Sequence, residues 1–184
     1  RPADLNEIQI FVGSCNAGLV PISEDTMYMF VLSQEEANTW LDVEGSAEKM
    51  RNVAKMAPPQ IAALLDKITD DAGVVARPLE TIFVEGDWHK GRVVMIGDAI
   101  HASTPHLAQG AGMAIEDGMV LADELTKAAS VEEAFTAYRA RRFARVEHVA
   151  KNSIRIGEMQ MGKIEPFDVG ALTGQTIGLM AQPI

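Results

Sequence analysis

The stretch that decides the fold is GDAIHASTPHLAQGAG, residues 97–112, which contains one aspartate, two histidines, one proline and three glycines. The run before it, residues 92–96, has the composition of a strand, and the segment after it predicts a helix over about 110–127. A glycine-containing loop between the carboxyl end of a strand and the start of a helix often holds a ligand. The sequence therefore predicts a binding site here.

The residue types of this stretch suit a ligand with hydroxyls at one end and negative charge at the other. Gly97 permits a sharp turn, and Asp98 follows it with a carboxylate that accepts hydrogen bonds from hydroxyls. Pro105 stiffens the loop. Residues 110–112 leave backbone N–H groups uncovered at a helix start, where the helix dipole favours negative charge. We therefore expect a cofactor cradle.

Three other interpretations fit parts of the same stretch. Asp98, His101 and His106 have side chains that can bind a metal, but their spacing matches no metal motif, and we predict no metal site. Ser103 has a histidine nearby, yet it lies in no Gly-x-Ser-x-Gly elbow. The glycines and the proline could also serve only to make a tight turn.

Composition excludes two classes of partner. The chain has 184 residues and a formal net charge of −10, enough length for one core or for one domain and part of another. The acidic balance leaves no basic face for nucleic acid and disfavours an anionic membrane surface. With one cysteine, Cys15, no apolar run of about 20 residues and no signal peptide, we expect a cytoplasmic protein. The sequence leaves open whether the protein forms a homodimer.

The first part of the chain, residues 1–84, is predicted to hold an antiparallel sheet and short helices. Its strands are enriched in β-branched and aromatic residues, and its helices open at capping signals or end at prolines. The predicted elements are strands over 7–12, 19–22 and 26–32, a helix opening at the capping box 33–36, and helices over 46–57 and 60–68.

The second part, residues 85–152, is predicted to carry the motif and two long helices, and residues 153–184 an irregular tail. The capping box Ser130–Glu133 opens the second long helix, which we expect to end near Asn152. Further strands are predicted over 78–84 and 92–96.

The second long helix has an apolar stripe and an arginine-rich face. The stripe consists of Val131, Phe135, Tyr138, Val146 and Val149. The arginines are Arg139, Arg141, Arg142 and Arg145. We expect a solvated face that pairs with nearby glutamates, the alternative being contact with a partner domain or a cofactor phosphate. Glu116 and Asp117 of the preceding helix could form a cap or an interface pair rather than act in catalysis.

Residues 97–101, Pro105, 109–112 and 116–117 together resemble the second flavin-binding motif of the FAD-dependent aromatic hydroxylases, the para-hydroxybenzoate hydroxylase-like single-component monooxygenases. The familiar form runs Gly-Asp-Ala-Ala-His, a proline, Gly-x-Gly or a close variant, and then Glu-Asp. Ile100 departs mildly from the usual alanine. The resemblance spans most of residues 5–150 and implies an α+β or α/β fold that joins an antiparallel substrate-domain sheet to a strand-loop-helix flavin motif and C-terminal helices.

The resemblance implies a role for each motif residue. Asp98 would bind the ribityl chain of FAD, with the backbone near Gly97 close to the pyrophosphate, and Pro105 would lie beside the isoalloxazine. The residues whose backbone would face the N1–C2=O edge of the ring, or flank those that do, are Gln109, Gly110, Ala111 and Gly112. A helix N-terminus stabilises the anionic charge that reduced flavin carries at that edge.

The resemblance also implies an activity. In this family NADH or NADPH reduces FAD, O2 forms a C4a-hydroperoxide, and the distal oxygen passes to an activated ring of a small aromatic substrate. The cofactor carries the difficult chemistry, so we name no catalytic side chain. Two alternatives remain, a non-catalytic binding module that keeps the fold and a flavin oxidoreductase of the same fold that does not hydroxylate.

The predicted strand 26–32 would belong to the substrate-domain sheet of this family. Because side chains alternate, either Met27, Met29 and Val31 or Tyr28, Phe30 and Leu32 would face the ring. We assign Met27 and Met29 to the substrate pocket together with His106, although a core role is the alternative for each of the three.

One departure from the family is large. No Gly-x-Gly-x-x-Gly follows a strand before Gly97, and the single Asp-Gly pair, Asp117-Gly118, lies inside the later helix. The family uses both motifs for FAD, so this sequence lacks the N-terminal Rossmann βαβ unit. We therefore expect the chain to be the C-terminal portion of a monooxygenase, to need the N-terminal half as a partner, and to bind FAD weakly or not at all on its own.

Overall fold

The computed structural model describes residues 1–13, 15–36, 39 and 42–184. The fold is mixed α+β, as predicted, with a small antiparallel sheet and C-terminal helices. It divides into two compact units, Arg1–Pro78 and Leu79–Ile184, so the observed boundary lies slightly before the predicted one.

The sheet of the first unit has three antiparallel strands in sequence order. They are β1 (Gln9–Phe11), β2 (Asn16–Pro21) and β3 (Met27–Leu32), in agreement with the predicted strands except at their ends. Gly18 lies between Ile10 and Phe30 in the register. A Cβ at Gly18 would lie 2.3 Å from the Phe30 ring, so glycine is needed for that ring to lie over β2.

The opposite face of the sheet packs on the helices of the first unit, α1 (Ser46–Ala54) and α2 (Pro59–Ala62). The predicted helices were longer, and the second one continues only as a 3₁₀ turn at Leu65–Lys67. The predicted capping box at 33–36 opens no helix over those four residues, because the Ser33 hydroxyl donates to the Glu35 carboxylate instead of capping a backbone amide. The residues over which the predicted helix would continue after Glu36 lie partly outside the described ranges.

The second unit contains less strand than predicted. The predicted strand over 78–84 is wrong, because Ile82 N–H and Val84 N–H donate to the carbonyls of Ala102 and Ile100 rather than to another strand. The prediction over 92–96 shrinks to β5 (Val93–Val94), which pairs with β4 (His89–Lys90) in a two-residue ladder. The one-turn helix α3 (Asp98–His101) follows.

Three long helices complete the second unit. Helix α4 spans Gly110–Lys127, as predicted, and α5 spans Val131–Gln160. The Ser130 cap is confirmed, since its hydroxyl accepts from Glu133 N–H at 3.2 Å, but α5 continues past the predicted end at Asn152. The prediction of an irregular tail over residues 153–184 is wrong, because this region contains the end of α5 and the helix α6 (Val169–Met180). The Asp168 carboxylate caps α6.

The core of the second unit lies where α4, α5 and the motif loop meet. Trp88 is fully buried and packs on Tyr138 with ring centroids 5.6 Å apart. The predicted α5 stripe is confirmed except at Val131, which lies at the first turn and is exposed. The other fully buried apolar side chains of this core are Ile100, Met113, Val120, Val146, Val149 and Ile156.

Among the residues that the structure describes, no helix is both long enough and apolar enough to cross a membrane.

Candidate flavin site at the start of helix α4

The turn at Gly97 is built for glycine. Its φ of +57° lies in the left-handed region, and an added Cβ would lie 3.2 Å from the Ala114 Cβ on α4. The Gly97 N–H donates to Asp117 Oδ2 at 2.9 Å. These contacts place the end of the strand segment against the second turn of α4.

Asp98 begins α3 and points its carboxylate outward. The residue is exposed and accepts no hydrogen bond from any part of the chain that the structure describes. A carboxylate without an internal partner keeps its acceptor positions for solvent or a ligand. The hydroxyl-binding role of Asp98 stays a prediction, and the exposed position leaves its carboxylate available for that role.

The N-terminus of α4 has bare amides. Gln109 stands at the N-cap without a side-chain hydrogen bond, and Met113 N–H is the first amide that bonds back, to the Gln109 carbonyl at 2.9 Å. The N–H groups of residues 110–112 have no acceptor within the described ranges. By contrast, Ser130 caps α5 and Asp168 caps α6. The sequence leaves this one long helix open to an external anion.

Gly112 shows that the fold itself does not need a glycine at this point. A Cβ added there would meet no atom within 4 Å. Ala111 and Gly112 are both exposed, and Gly110 lies beside the Ser103 hydroxyl, 3.6 Å from where its own Cβ would be. The open space over the first turn of α4 is therefore available to a ligand that approaches the backbone closely.

The loop before α4 holds one strained residue. Pro105 begins a 3₁₀ turn, Pro105–Leu107, and is exposed. Ala108 follows with φ +52°, the only positive φ at a non-glycine residue of the described chain. Such a conformation disfavours a residue with a Cβ and persists only where the surroundings impose it. The loop is therefore held in shape by its neighbours rather than by its own preference.

His106 is one of those neighbours. Its Nε2 lies 3.0 Å from Gln160 Oε1 on α5, and its Nδ1 lies 2.7 Å from the Thr104 hydroxyl. The ring also packs on α5 so closely that a Cβ on Gly157 would lie 3.3 Å from Cε1. Burial lowers the pKa of His106, and the hydrogen bond to Gln160 only partly opposes that shift. The neutral side chain therefore connects the loop to α5 through its hydrogen bonds and packing. Its assignment to the substrate pocket stays a prediction.

A buried charge cluster lies beneath the motif, and here the sequence prediction of a solvated arginine face is wrong for two residues. Arg142 is fully buried, and its Nε donates to Asp117 Oδ1 at 2.7 Å. Arg145 is nearly buried and donates to both oxygens of Glu116. His101 Nε2 donates to Asp117 Oδ2 at 2.7 Å.

Asp117 is held ionised by these donors. Burial alone would raise the pKa of this carboxyl, but hydrogen bonds from His101, Arg142 and the Gly97 N–H outweigh it and bring the pKa below its usual range. Sequence reasoning did not identify Arg142 and Arg145 as buried partners. The available signal was their spacing of three, which places two arginines on one helix face opposite the adjacent Glu116 and Asp117.

The other two arginines behave more as predicted. Arg141 pairs with Asp123 and Glu124 at the surface. Arg139 lies over the Phe143 ring, 4.5 Å from its centroid, and donates to the carbonyls of Glu85 and Gly86. Neither contacts Asp117.

Met27 and Met29 lie in the first unit and His106 in the second. Both methionines are half-buried against the apolar cluster of the sheet and helices, as the core alternative predicted. They also line a cleft of about 920 Å³ in that unit, together with side chains from α1. Tyr28 points from the other face of β3 and is half exposed. The pocket assignment of Met27 and Met29 stays a prediction.

The hydrogen-bonding groups that the second unit exposes fit a flavin. An exposed carboxylate at Asp98 matches ribityl hydroxyls, and the free amides of residues 110–112 match the electron-rich edge of the ring. Across the described ranges, no cluster of three or more histidine, cysteine, aspartate or glutamate side chains has a geometry that could hold a metal ion.

Comparison with known proteins identifies the class. The sequence model of the family described as "FAD binding domain" matches residues 7–153, which is most of the chain. The protein therefore belongs to this family of FAD-binding monooxygenases.

Two curated relatives have named activities. The 3-hydroxybenzoate 6-hydroxylase of Polaromonas naphthalenivorans is 30% identical over 158 residues, which cover 84% of this chain and 39% of the relative. The 2-heptyl-3-hydroxy-4(1H)-quinolone synthase of Pseudomonas aeruginosa is 35% identical over 147 residues, which cover 77% of this chain and 37% of the relative. The chain thus spans less than half the length of these relatives.

The fold has a solved counterpart. A variant of HpxO from Klebsiella pneumoniae, crystallised with FAD, superposes with a TM-score of 0.77 at 23% identity. The match covers 98% of this chain and 46% of that one. At this level of identity the likeness shows the fold.

Proposed function

We propose that this chain is the flavin- and substrate-contacting portion of an FAD-dependent monooxygenase that hydroxylates a small aromatic substrate. The observation that carries the proposal is the uncapped start of α4 beside the Gly97–Asp98 turn. An acceptor for hydroxyls and a set of free amides at a helix start are the two chemistries that a flavin needs from one wall of its site.

Each group has a defined task. Asp98 accepts hydrogen bonds from the ribityl hydroxyls, and the amides of residues 110–112 stabilise negative charge at the N1–C2=O edge. The loop from Pro105 to Gln109 fixes the approach to the ring. When bound, FAD supplies electron transfer from NADH or NADPH and the activation of O2. The protein binds and orients it and limits the access of water.

The substrate is proposed only as a class. One named relative acts on a hydroxybenzoate and the other forms a hydroxyquinolone, which supports an electron-rich aromatic or heteroaromatic ring. Met27, Met29 and His106 are retained as proposed lining residues. We propose that the remaining wall of the flavin site comes from polypeptide equivalent to the rest of the longer relatives.

The proposal is tested on the flavin-loaded protein with Asp98→Ala and the matched variant Asp87→Ala, which removes another exposed carboxylate of the same unit. We expect Asp98→Ala to weaken FAD binding by roughly tenfold or more, since a hydrogen bond to a charged group is worth about 1.5–3 kcal/mol, and Asp87→Ala to leave it unchanged. Flavin absorbance and ultrafiltration measure the affinity.

Activity is then measured as NADH or NADPH oxidation with candidate phenols, together with product analysis. Equal FAD affinity for both variants would refute the assignment of Asp98. Tight flavin binding with reductant oxidation but no oxygenated product would instead favour a non-hydroxylating flavin oxidoreductase.

A further inference from the structure

A continuous line of hydrogen bonds runs from the last turn of α6 to the turn at Gly97. It begins at Arg145, whose guanidinium donates to the carbonyls of Leu179, Met180 and Gln182 at 2.9, 2.6 and 3.1 Å. The last carbonyls of a helix have no partner within the helix, so this arginine on α5 acts as the C-cap of α6.

The same guanidinium holds Glu116 on α4. Arg145 Nη2 donates to Glu116 Oε1 at 2.7 Å, and its Nε donates to Oε2 at 3.0 Å, a two-point contact that fixes the plane of the carboxylate. Arg142 Nη1 donates to the same Oε2 at 2.5 Å. Glu116 is thus shared by two arginines one helical turn apart.

Arg142 carries the line to the motif. Its Nε donates to Asp117 Oδ1 at 2.7 Å, and Asp117 Oδ2 accepts from the Gly97 N–H at 2.9 Å and from His101 Nε2 at 2.7 Å. Arg142, Asp117 and His101 are fully buried. In a site that excludes water, each donor has few alternative partners, so displacing one member displaces the next.

We propose that Arg145 is a positioning residue: it couples the C-terminal helix α6 to the Gly97–His101 turn through Glu116, Arg142 and Asp117. The coupling concerns the backbone that presents Asp98, and its consequence for flavin rests on the proposed function. Without Arg145, Glu116 loses its two-point contact and no longer holds Arg142 in a fixed position. Arg142 then keeps only Asp117 and the Met113 carbonyl as fixed partners, and Asp117 gains freedom to release the Gly97 amide.

The test compares Arg145→Gln with Arg141→Gln in the full 184-residue chain. Arg141 lies on the same helix, pairs with two carboxylates and also touches the C-terminal residues, through the Ile184 carbonyl, but has no contact with Glu116 or Asp117. Amide hydrogen exchange followed by mass spectrometry measures protection in the peptide 97–101.

We expect Arg145→Gln to raise exchange in that peptide at least tenfold while β2 and β3 of the first unit change less than twofold. The exchange rate of the same peptide in Arg145→Lys should lie between those of Arg145→Gln and the unsubstituted protein. Arg141→Gln should leave that rate unchanged. Faster exchange confined to 169–184, or an equal effect of both glutamine variants, would overturn the proposal. If Arg145→Gln does not fold, Arg145→Lys against Arg141→Lys applies the same criterion.

The flavin-loaded protein gives a separate readout. Arg145→Lys should shift the visible flavin band, and Arg141→Lys should not. A changed exchange rate with an unchanged band would keep the coupling and refute its link to flavin. Absence of flavin binding in every variant and in the unsubstituted protein, even with the polypeptide equivalent to the rest of the relatives added, would count against the proposed function alone.

Discussion

At the scale of single residues, the site depends on conformations that side-chain chemistry alone does not reveal. Gly97 needs its glycine because φ is positive and Ala114 is close. Ala108 adopts a similar φ without being glycine, so its backbone carries strain of about 1–2 kcal/mol. No sequence pattern marks such a residue, because its conformation is imposed by the 3₁₀ turn before it and the helix after it.

The strain at Ala108 predicts opposite effects for two alanine-to-glycine changes. Ala108→Gly should raise the free energy of unfolding by about 0.5 kcal/mol, because relief of strain exceeds the added entropy of the unfolded chain. Ala102→Gly, at a residue with φ −54°, should lower it by about 0.5–1 kcal/mol. Urea unfolding of both variants checks the signs. A loss of stability in Ala108→Gly comparable to that in Ala102→Gly would show that the site is unstrained.

His106 predicts a pH effect in the near-neutral range. Its pKa is lowered in the folded state, so the unfolded state takes up the proton first as pH falls. The stability that neutral His106 contributes is therefore fully present above its ordinary pKa of about 6.5. It is lost as the pH falls through the pKa of His106 in the folded state. His106→Gln should flatten this part of the stability curve between about pH 7.5 and 5.

Two measurements address the His106 prediction. Urea unfolding across that pH range compares the protein with His106→Gln, and NMR titration of the His106 Cε1 proton locates its midpoint directly. A midpoint at or above 6.5 would contradict the proposed burial effect.

At the scale of elements, the strands of the first unit, α4 and the start of α5 were predictable from the sequence, whereas α6 and the extent of the strands in the second unit were not. The capping box at Ser130 and the helical periodicity after Gly110 gave α4 and the start of α5, because both signals are local. Residues 78–84 have strand composition, yet their amides bond to α3 and the loop after it. Helix α6 was missed because its three glycines weaken any periodic pattern.

The candidate site was predictable in outline for a similar reason. The glycines, Asp98 and the helix start are adjacent in sequence, so one motif describes them. The buried cluster of Glu116, Asp117, Arg142 and Arg145 joins two helices, and a charged helix face reads as solvated until the neighbouring helix is known.

Helix α4 allows folding and binding to be separated. Gly112→Ala and Gly174→Ala each add a methyl group at a helical glycine with no atom within 4 Å of the new Cβ. Both should stabilise the chain by about 0.5–1 kcal/mol, since alanine is the better helix former. Only Gly112→Ala should weaken FAD binding, because its methyl group fills the space over the bare amides.

Thermal unfolding of the two glycine variants, and FAD titration of both with the polypeptide equivalent to the rest of the relatives added, provide the comparison. Equal FAD affinity in both would argue that no ligand approaches the first turn of α4, and destabilisation by Gly112→Ala would argue that the space is not open.

At the scale of the whole molecule, apolar surface remains uncovered next to the site. Ile115 and Met119 lie one turn apart on α4 and are 66% and 63% exposed. Exposed apolar side chains grouped on one helix face often mark a surface that another polypeptide covers. The relatives of known activity are more than twice as long as the matched region.

We therefore predict that the 184 residues alone bind FAD weakly or not at all. Calorimetric titration of the isolated chain should show little heat, and adding or fusing the polypeptide equivalent to the rest of the relatives should restore stoichiometric yellow flavin. The substitution Ile115→Glu should block that restoration, whereas Val131→Glu, at another exposed apolar residue, should not. Stoichiometric flavin in the isolated chain would refute this prediction.

On the proposed function, the uncapped start of α4 would affect the amount of protein in the cell. A ligand that binds only the folded state shifts the folding equilibrium by mass action, so flavin would act as the missing cap. Chains that meet little flavin would spend more time unfolded and be degraded faster. Abundance would then follow the riboflavin supply, and pulse-chase half-lives in a riboflavin auxotroph would record it. A helix start left without its own cap would serve as quality control for cofactor loading.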